Sequence, residues 1–180
     1  MNLPIFTIGH SDRSIGGFIG LLRGADIGLV VDVRKLPGSA RHPHFNQDAL
    51  AASLEEEGIG YRHSPGLTGR RPVSRTVPKE VNGWWTNRSF HNYADHALSE
   101  EFQDALEELR HEGRSHRLAV MCSEAVWWRC HRRIIADHLL ARGEDVLHIV
   151  DGGEPRPAVL SEGAVIEEDG SVRYPARPSD

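Results

Sequence analysis

Only two cysteines, Cys122 and Cys130, occur in 180 residues, so no disulfide framework holds this fold. No apolar run approaches the roughly 20 residues that cross a bilayer, and no membrane partner is expected. Residues 1–10 lack the basic segment and long apolar stretch of an export signal, so a reducing, cytoplasmic setting is expected. The chain is not basic either. Its 21 Lys and Arg against 26 Asp and Glu give a net charge of -5, which excludes a uniformly cationic nucleic-acid coat. Internal repeats and low-complexity tracts are missing too, and a single domain over 1–180 is expected.

What is present alternates between short apolar strands and amphipathic helices. Ile5-Phe6-Thr7-Ile8, stopped by Gly9, predicts a buried strand, as do residues 28–33, 59–62, 118–121 and 146–150. Ser14, Asn46 and Ser99 stand where helix caps belong, and Gly58, Gly113 and Gly143 follow the predicted helix ends. Leu50 with Leu54, and Phe102 with Leu106 and Leu109, supply helical stripes, and a further helix is expected from Arg132 to Leu140. Residues 64–88, rich in Pro, Gly and Arg, predict an irregular basic loop. In the tail at 151–180, Asp169-Gly170 between two extended runs predicts a hairpin. The fold class is α/β: a mostly parallel five-stranded sheet with helices on both faces, a Rossmann-like three-layer sandwich, plus a C-terminal β-hairpin.

In open α/β sheets, ligands bind beyond the carboxyl ends of the strands. The predicted strands run there into His10 and Ser11, Asp32 and Arg34, Cys122 and Glu124, and Asp151. Cys122 reads either as a thiolate held by a helix start with nearby Arg or His, or as a small buried apolar residue; Cys130 has the same buried alternative. His10, Asp32 and Glu124 are acid–base candidates, with Asp32 also read as the carboxylate that orients Arg34. Arg34, Arg41, Arg70, Arg71 and Arg132, with Ser11, Cys130 and His131, are candidates for binding an anionic substrate. Trp85, with Trp84 beside it, is a candidate platform for a base; tryptophans also anchor loops in a core, and for Trp84 that reading has at least equal weight. A metal held by Cys122, Cys130, His131 and His10 is the lesser reading, because Cys-x7-Cys is not a zinc spacing, and no cofactor is expected.

A strand leading to a reactive cysteine before a helix is similar to the layout of cysteine phosphatases and rhodaneses. Those phosphatases place five residues between Cys and Arg; here six separate Cys122 from Arg129, and none is glycine. Several motifs together resemble a different group, the domain-of-unknown-function 488 family. They are Thr7-Ile8-Gly9-His10-Ser11, Val31-Asp32-Val33-Arg34, Gly58-Ile59-Gly60-Tyr61, Leu67-Thr68-Gly69-Arg70, Asn92-Tyr93-Ala94, and Met121-Cys122-Ser123-Glu124 with Cys130-His131-Arg132. The likeness runs from about Ile5 to Ile149. This chain departs from the family pattern at Thr68, where a second glycine is usual, and at 125–128, where a proline is common. The resemblance implies a shared fold and a site at these motifs. Some members carry a DNA-repair label, which implies nucleic-acid processing.

The leading expectation is an enzyme acting on a nucleotide or nucleic-acid substrate, such as a modified or damaged base, with Cys122 as a nucleophile or a polarising neighbour; a hydrolytic or glycosidic step fits, and the sequence does not choose the bond. Two alternatives stand beside it: a thiol- or metal-dependent enzyme on a small anionic metabolite, and a non-catalytic nucleic-acid-binding module.

Overall fold

The computed structural model describes residues 3–38 and 41–177; residues 178–180 of the expected tail, like 1–2 and 39–40, lie outside the described residues. Five parallel strands carry the architecture: β1 (Ile5–Gly9), β2 (Leu29–Asp32), β3 (Gly60–His63), β4 (Leu118–Cys122) and β5 (Val146–His148). A sixth strand of two residues, β6 (Arg156–Pro157), pairs antiparallel with β5 and completes the order β3-β2-β4-β1-β5-β6. The α/β expectation is borne out, with this short edge strand added.

Alternate strand residues feed two cores. Ile5, Val31, Leu118, Val120 and Cys122 face one side, while Phe6, Ile8, Val30, Ala119 and Met121 face the other. Burial on both faces is why these strands read as continuous apolar runs. Helices α1 (Ile15–Gly24) and α2 (Gln47–Glu56) cover the second side through Phe18, Leu22, Leu50 and Leu54. The first side is covered by α3 (Arg88–His96), α4 (Glu100–Gly113) and α5 (Arg132–Ala141), through Tyr93, Phe102, Leu106, Ile134 and Leu139.

Capping sets three of the helix starts. Ser14, Asn87 and Ser99 accept from the backbone N–H three residues on, at 3.0, 3.2 and 3.2 Å. The N-cap of α5, His131, makes no side-chain capping bond; instead the Cys130 sulfur accepts from the first helical amide, Arg132 N, at 3.5 Å, and the next amides bond to Cys130 O and His131 O.

Strand order creates the crevice. From β1 the chain crosses by α1 toward β2 and β3; from β4, the neighbour of β1, it crosses by α5 on the opposite face toward β5. Loops leaving β1 and β4 therefore diverge, the arrangement that opens a binding site at a switch point. Gly9 faces Cys122 in register, and the ladder continues outward through His10 N–H to Cys122 O and Ser11 N–H to Ser123 O.

The predicted hairpin is β7 (Val165–Ile166) paired with β8 (Val172–Arg173), its turn closed at Gly170 with φ +86°. Tyr174 fastens it to the body. Its O–H donates to Asp137 at 2.7 Å, and its N–H donates to the Asn82 side chain at 2.9 Å.

Candidate functional site

A cavity of about 700 Å³ lies over the carboxyl ends of β1, β2 and β4. Its walls include His10, Ser11, Arg34, Cys122, Glu124, Cys130 and His131, together with Arg70 from the long loop. Lys35 and Arg129 add two exposed cations that the sequence reading did not single out. Asp12 and Glu124 are the acids of the lining, so cations outnumber carboxylates.

Arg34 is the best-held cation. Its Nε and Nη2 donate to the two oxygens of Asp32 at 3.0 and 2.8 Å, and its backbone N–H adds a third bond at 3.0 Å. Tyr61 donates to the same carboxylate at 2.5 Å. Burial, then that bond, pushes the Tyr61 hydroxyl above its ordinary range, so it stays a donor. Asp32 is fully buried, does not line the cavity, and has its lone pairs taken. Its place is behind Arg34, as the orienting carboxylate rather than as an acid–base group.

His10 is likewise committed. Arg34 Nη1 lies 3.2 Å from its Nε2, so that nitrogen must accept, and Nδ1–H donates to Ser11 O at 2.8 Å. Burial drives its pKa down to about 4, with the charge of Arg34 acting in the same direction, and its ring stacks on Phe45. His10 is a neutral wall residue that aims Arg34. Catalytic acid–base work is not open to it while both nitrogens are engaged.

The two cysteines meet. Cys122, at the end of β4, and Cys130, just before α5, bring their sulfurs to 2.7 Å. Cys130 also lies 3.6 Å from His131 Nδ1 and 3.5 Å from Arg132 N, the first amide of α5. His131 Nε2 donates to Val33 O at 3.1 Å, which leaves the Nδ1 lone pair of the neutral ring facing Cys130. Burial opposes ionisation of Cys130. The Cys122 thiol, His131 and Arg132 outweigh it and bring Cys130 well below the ordinary thiol range. Cys122 goes the other way: burial pushes it up, and sharing with Cys130 adds to the rise.

Arg132 closes the arrangement from behind. Only 1% exposed, it donates to Thr7 Oγ1 at 3.0 Å and to Glu124 O at 2.6 Å, and its Nε finds no partner among the described residues. No carboxylate pairs with it among the described residues. A buried guanidinium without a carboxylate calls for another anion, and the nearby sulfurs are the candidates. Thr7 passes the chain on to His148 Nδ1 at 2.6 Å.

Four expected binding residues stand elsewhere. Arg132 is behind the cavity rather than in it. Arg71 clasps its own loop, donating to Pro65 O, Thr68 O and Thr68 Oγ1, because the turn at 65–68 presents its oxygens toward it. Trp85 is buried against Phe90 and Tyr174, with the Arg133 guanidinium over its ring, so the core-anchor alternative holds. Arg41 is exposed and is not part of the lining. Among the described residues no group of three or more His, Cys, Asp or Glu is arranged to hold a metal ion. The notional set with Cys122, Cys130 and His131 breaks at His10, whose Nε2 faces a guanidinium.

Tyr61, Thr7 and Gly69 were also missed by sequence reasoning. Gly69 packs directly on the His131 ring, where an added Cβ would sit 2.9 Å from Nδ1. The Leu67-Thr68-Gly69-Arg70 motif was the signal for it.

No curated protein and no solved structure matches this chain. One family description, domain of unknown function DUF488, matches residues 14–139. That span runs from the cap of α1 into α5 and contains Asp32, Arg34, both cysteines, His131 and Arg132. The chain belongs to the DUF488 family.

Proposed function

We propose that this protein is a thiol-dependent enzyme acting on a small anionic molecule of nucleotide size, with Cys130 as nucleophile. One observation carries the reading: the Cys130 sulfur sits at the N-terminus of α5, accepting from Arg132 N and against His131 Nδ1, in the wall of a cation-rich cavity. The volume of about 700 Å³ suits a ligand of that size. Cys122, one nucleophile candidate in the sequence, gives way here to Cys130.

The chemistry follows from the placement. Arg34, rigidly held, takes the anionic group by charge-assisted hydrogen bonds, while Lys35, Arg70 and Arg129 at the rim attract it. Cys130 gives its proton to His131 Nδ1, and the thiolate attacks the bound electrophile. His131 is then the acid that returns the proton to the leaving group. Glu124 lines the same space and is exposed, but its Oε1 accepts from Val126 N at 3.3 Å, which suits a wall role.

Paired alkylating agents test this. Iodoacetate, an anion, is expected to modify Cys130 about tenfold faster than neutral iodoacetamide at pH 7 and low salt, with the advantage lost in Arg34→Ala. Equal rates for the two agents, or modification of Cys122 first, would refute the proposal.

A nucleic-acid strand is the second reading, favoured by the exposed rim cations Lys35, Arg70 and Arg129 and by Trp128, 48% exposed beyond β4. It has lost Trp85, Arg71 and Arg132 as contacts. Oligonucleotide binding that weakens steeply with salt, and weakens further in Arg70→Ala, supports this reading; no binding at low salt removes it.

A further inference from the structure

Cys122 has no task in the reaction just described, yet its sulfur touches the nucleophile. Both cysteines line the cavity, Cys130 at 7% exposure and Cys122 deeper at 3%. The guanidinium of Arg132, buried and with an Nε that finds no partner among the described residues, stands behind them. A second thiol in contact with a nucleophilic one is what a thiol needs to be released from a mixed disulfide.

We propose that Cys122 and Cys130 form a two-electron redox centre whose substrate is a small disulfide bearing carboxylate groups, with Cys130 attacking and Cys122 resolving. The inference rests on the reading of Cys130 as nucleophile in an anion-binding cavity and names the substrate class for it. In the first step Cys130 passes its proton to His131 Nδ1, its sulfur bonds to one substrate sulfur, the substrate S–S bond breaks, and one thiol leaves with the proton that His131 returns. In the second, Cys122 gives its proton to His131 Nδ1 and its sulfur bonds to the Cys130 sulfur, expelling the second thiolate. The substrate gains two electrons, the protein dithiol loses two, and a Cys122–Cys130 disulfide remains. Two equivalents of a small thiol reverse it.

Geometry favours this order of events. The Cys130 sulfur is the one with the facing Nδ1 lone pair and the helix amide, so it is the one that starts. Cys122 lies in the last position of β4, hydrogen-bonded in register beside Gly9, and cannot easily turn outward to meet a substrate itself. Arg34 and Arg129 in the same wall supply the counter-charge for the carboxylates.

The probe is dithiobis(nitrobenzoate), an anionic aromatic disulfide whose thiolate is coloured. Folded wild type is expected to release two thiolates per chain rapidly and to show by intact mass no adduct and a loss of two hydrogens. Cys122→Ser, or Cys122→Ala should the serine variant melt early, is expected to release one and to keep the adduct on Cys130. Cys130→Ser should release none on the same timescale, and a neutral disulfide of similar size should react about tenfold more slowly with wild type. A wild type that retains the mixed disulfide, or a Cys130→Ser chain that reacts as fast as wild type, overturns the proposal. If iodoacetate still favours Cys130 while wild type keeps the mixed disulfide, only the redox inference falls; if iodoacetate shows no preference, the nucleophile reading falls with it.

Discussion

Asp32 and Arg34 form a buried ion pair whose worth depends on both members remaining. Four donors converge on Asp32, from Arg34 N, Nε and Nη2 and from Tyr61. Asp32→Asn keeps the shape but leaves a buried guanidinium without its anion, a change that costs about 3–5 kcal/mol in such settings. Tyr61→Phe removes one hydrogen bond and should cost nearer to about 1 kcal/mol. Denaturant midpoints for the two variants are expected in that order, and equal losses would mean that Asp32 does not hold Arg34 electrostatically. Cys130 gives a second prediction at this scale. Because its neighbours pull the thiol down, its alkylation rate should already be at plateau near neutral pH, where an ordinary thiol of pKa about 8.5 still gains nearly tenfold per unit. A rate that climbs steadily from pH 6 to 9 would contradict the assignment.

Among the elements, two glycines separate folding from site geometry. A Cβ on Gly9 would lie 1.9 Å from Glu124 O and 2.5 Å from its carbonyl carbon, both backbone atoms of the loop leaving β4. Gly9→Ala must push that loop away from β1, so a loss of about 3 kcal/mol or more, or no folding, is expected by thermal melting. Gly69→Ala meets the His131 ring first, a side chain rather than backbone. Its melting temperature should stay close to that of wild type while Cys130 alkylation slows, because His131 Nδ1 no longer faces the sulfur. A Gly69→Ala chain that melts early without any change in Cys130 reactivity would mean that His131 is structural. The same elements show what the sequence made legible. Strand runs buried on both faces, and helices started by Ser14 or Ser99, announce themselves because local chemistry decides them. The α3 helix was hidden inside a polar stretch after the basic loop, although Asn87 with Phe90, Tyr93 and Ala94 carried a cap and a stripe. Strand β6, two residues against β5, has no periodicity to detect. At the site, strand ends told which residues gather, but not which sulfur reacts: that depends on the contact between Cys130 and His131 and on Arg132 behind them. The places of Arg71 and Trp85 were not legible because an Arg-rich, Trp-containing loop looks the same in sequence whether it clasps itself or a ligand.

For the molecule as a whole, buried neutral histidines tie stability to acid. His138, at the contact of α5 with Phe102 of α4, has both ring nitrogens unpartnered, and burial drives its pKa from 6.5 to about 3, helped by the charge of Arg142. Burial, with the charge of Arg132, takes His148 to about 4. The unfolded chain binds protons at these groups near 6.5, and the folded chain refuses them until far lower. Stability is therefore fully present above pH 6.5 and falls as pH drops toward the folded values, by up to about 1.4 kcal/mol per unit for each histidine. Asp95 and Asp137, raised by burial, take up protons sooner when folded and soften the foot of that decline. His138→Leu removes one of these slopes, His10 and His96 being lowered by burial as well, and two unsatisfied nitrogens while nearly preserving volume. The variant should be more stable than wild type at pH 7 by about 1–3 kcal/mol, and its advantage should widen at pH 5. Urea midpoints at the two pH values check this, and an advantage that does not grow on acidification would place the acid sensitivity elsewhere than at the α4–α5 contact.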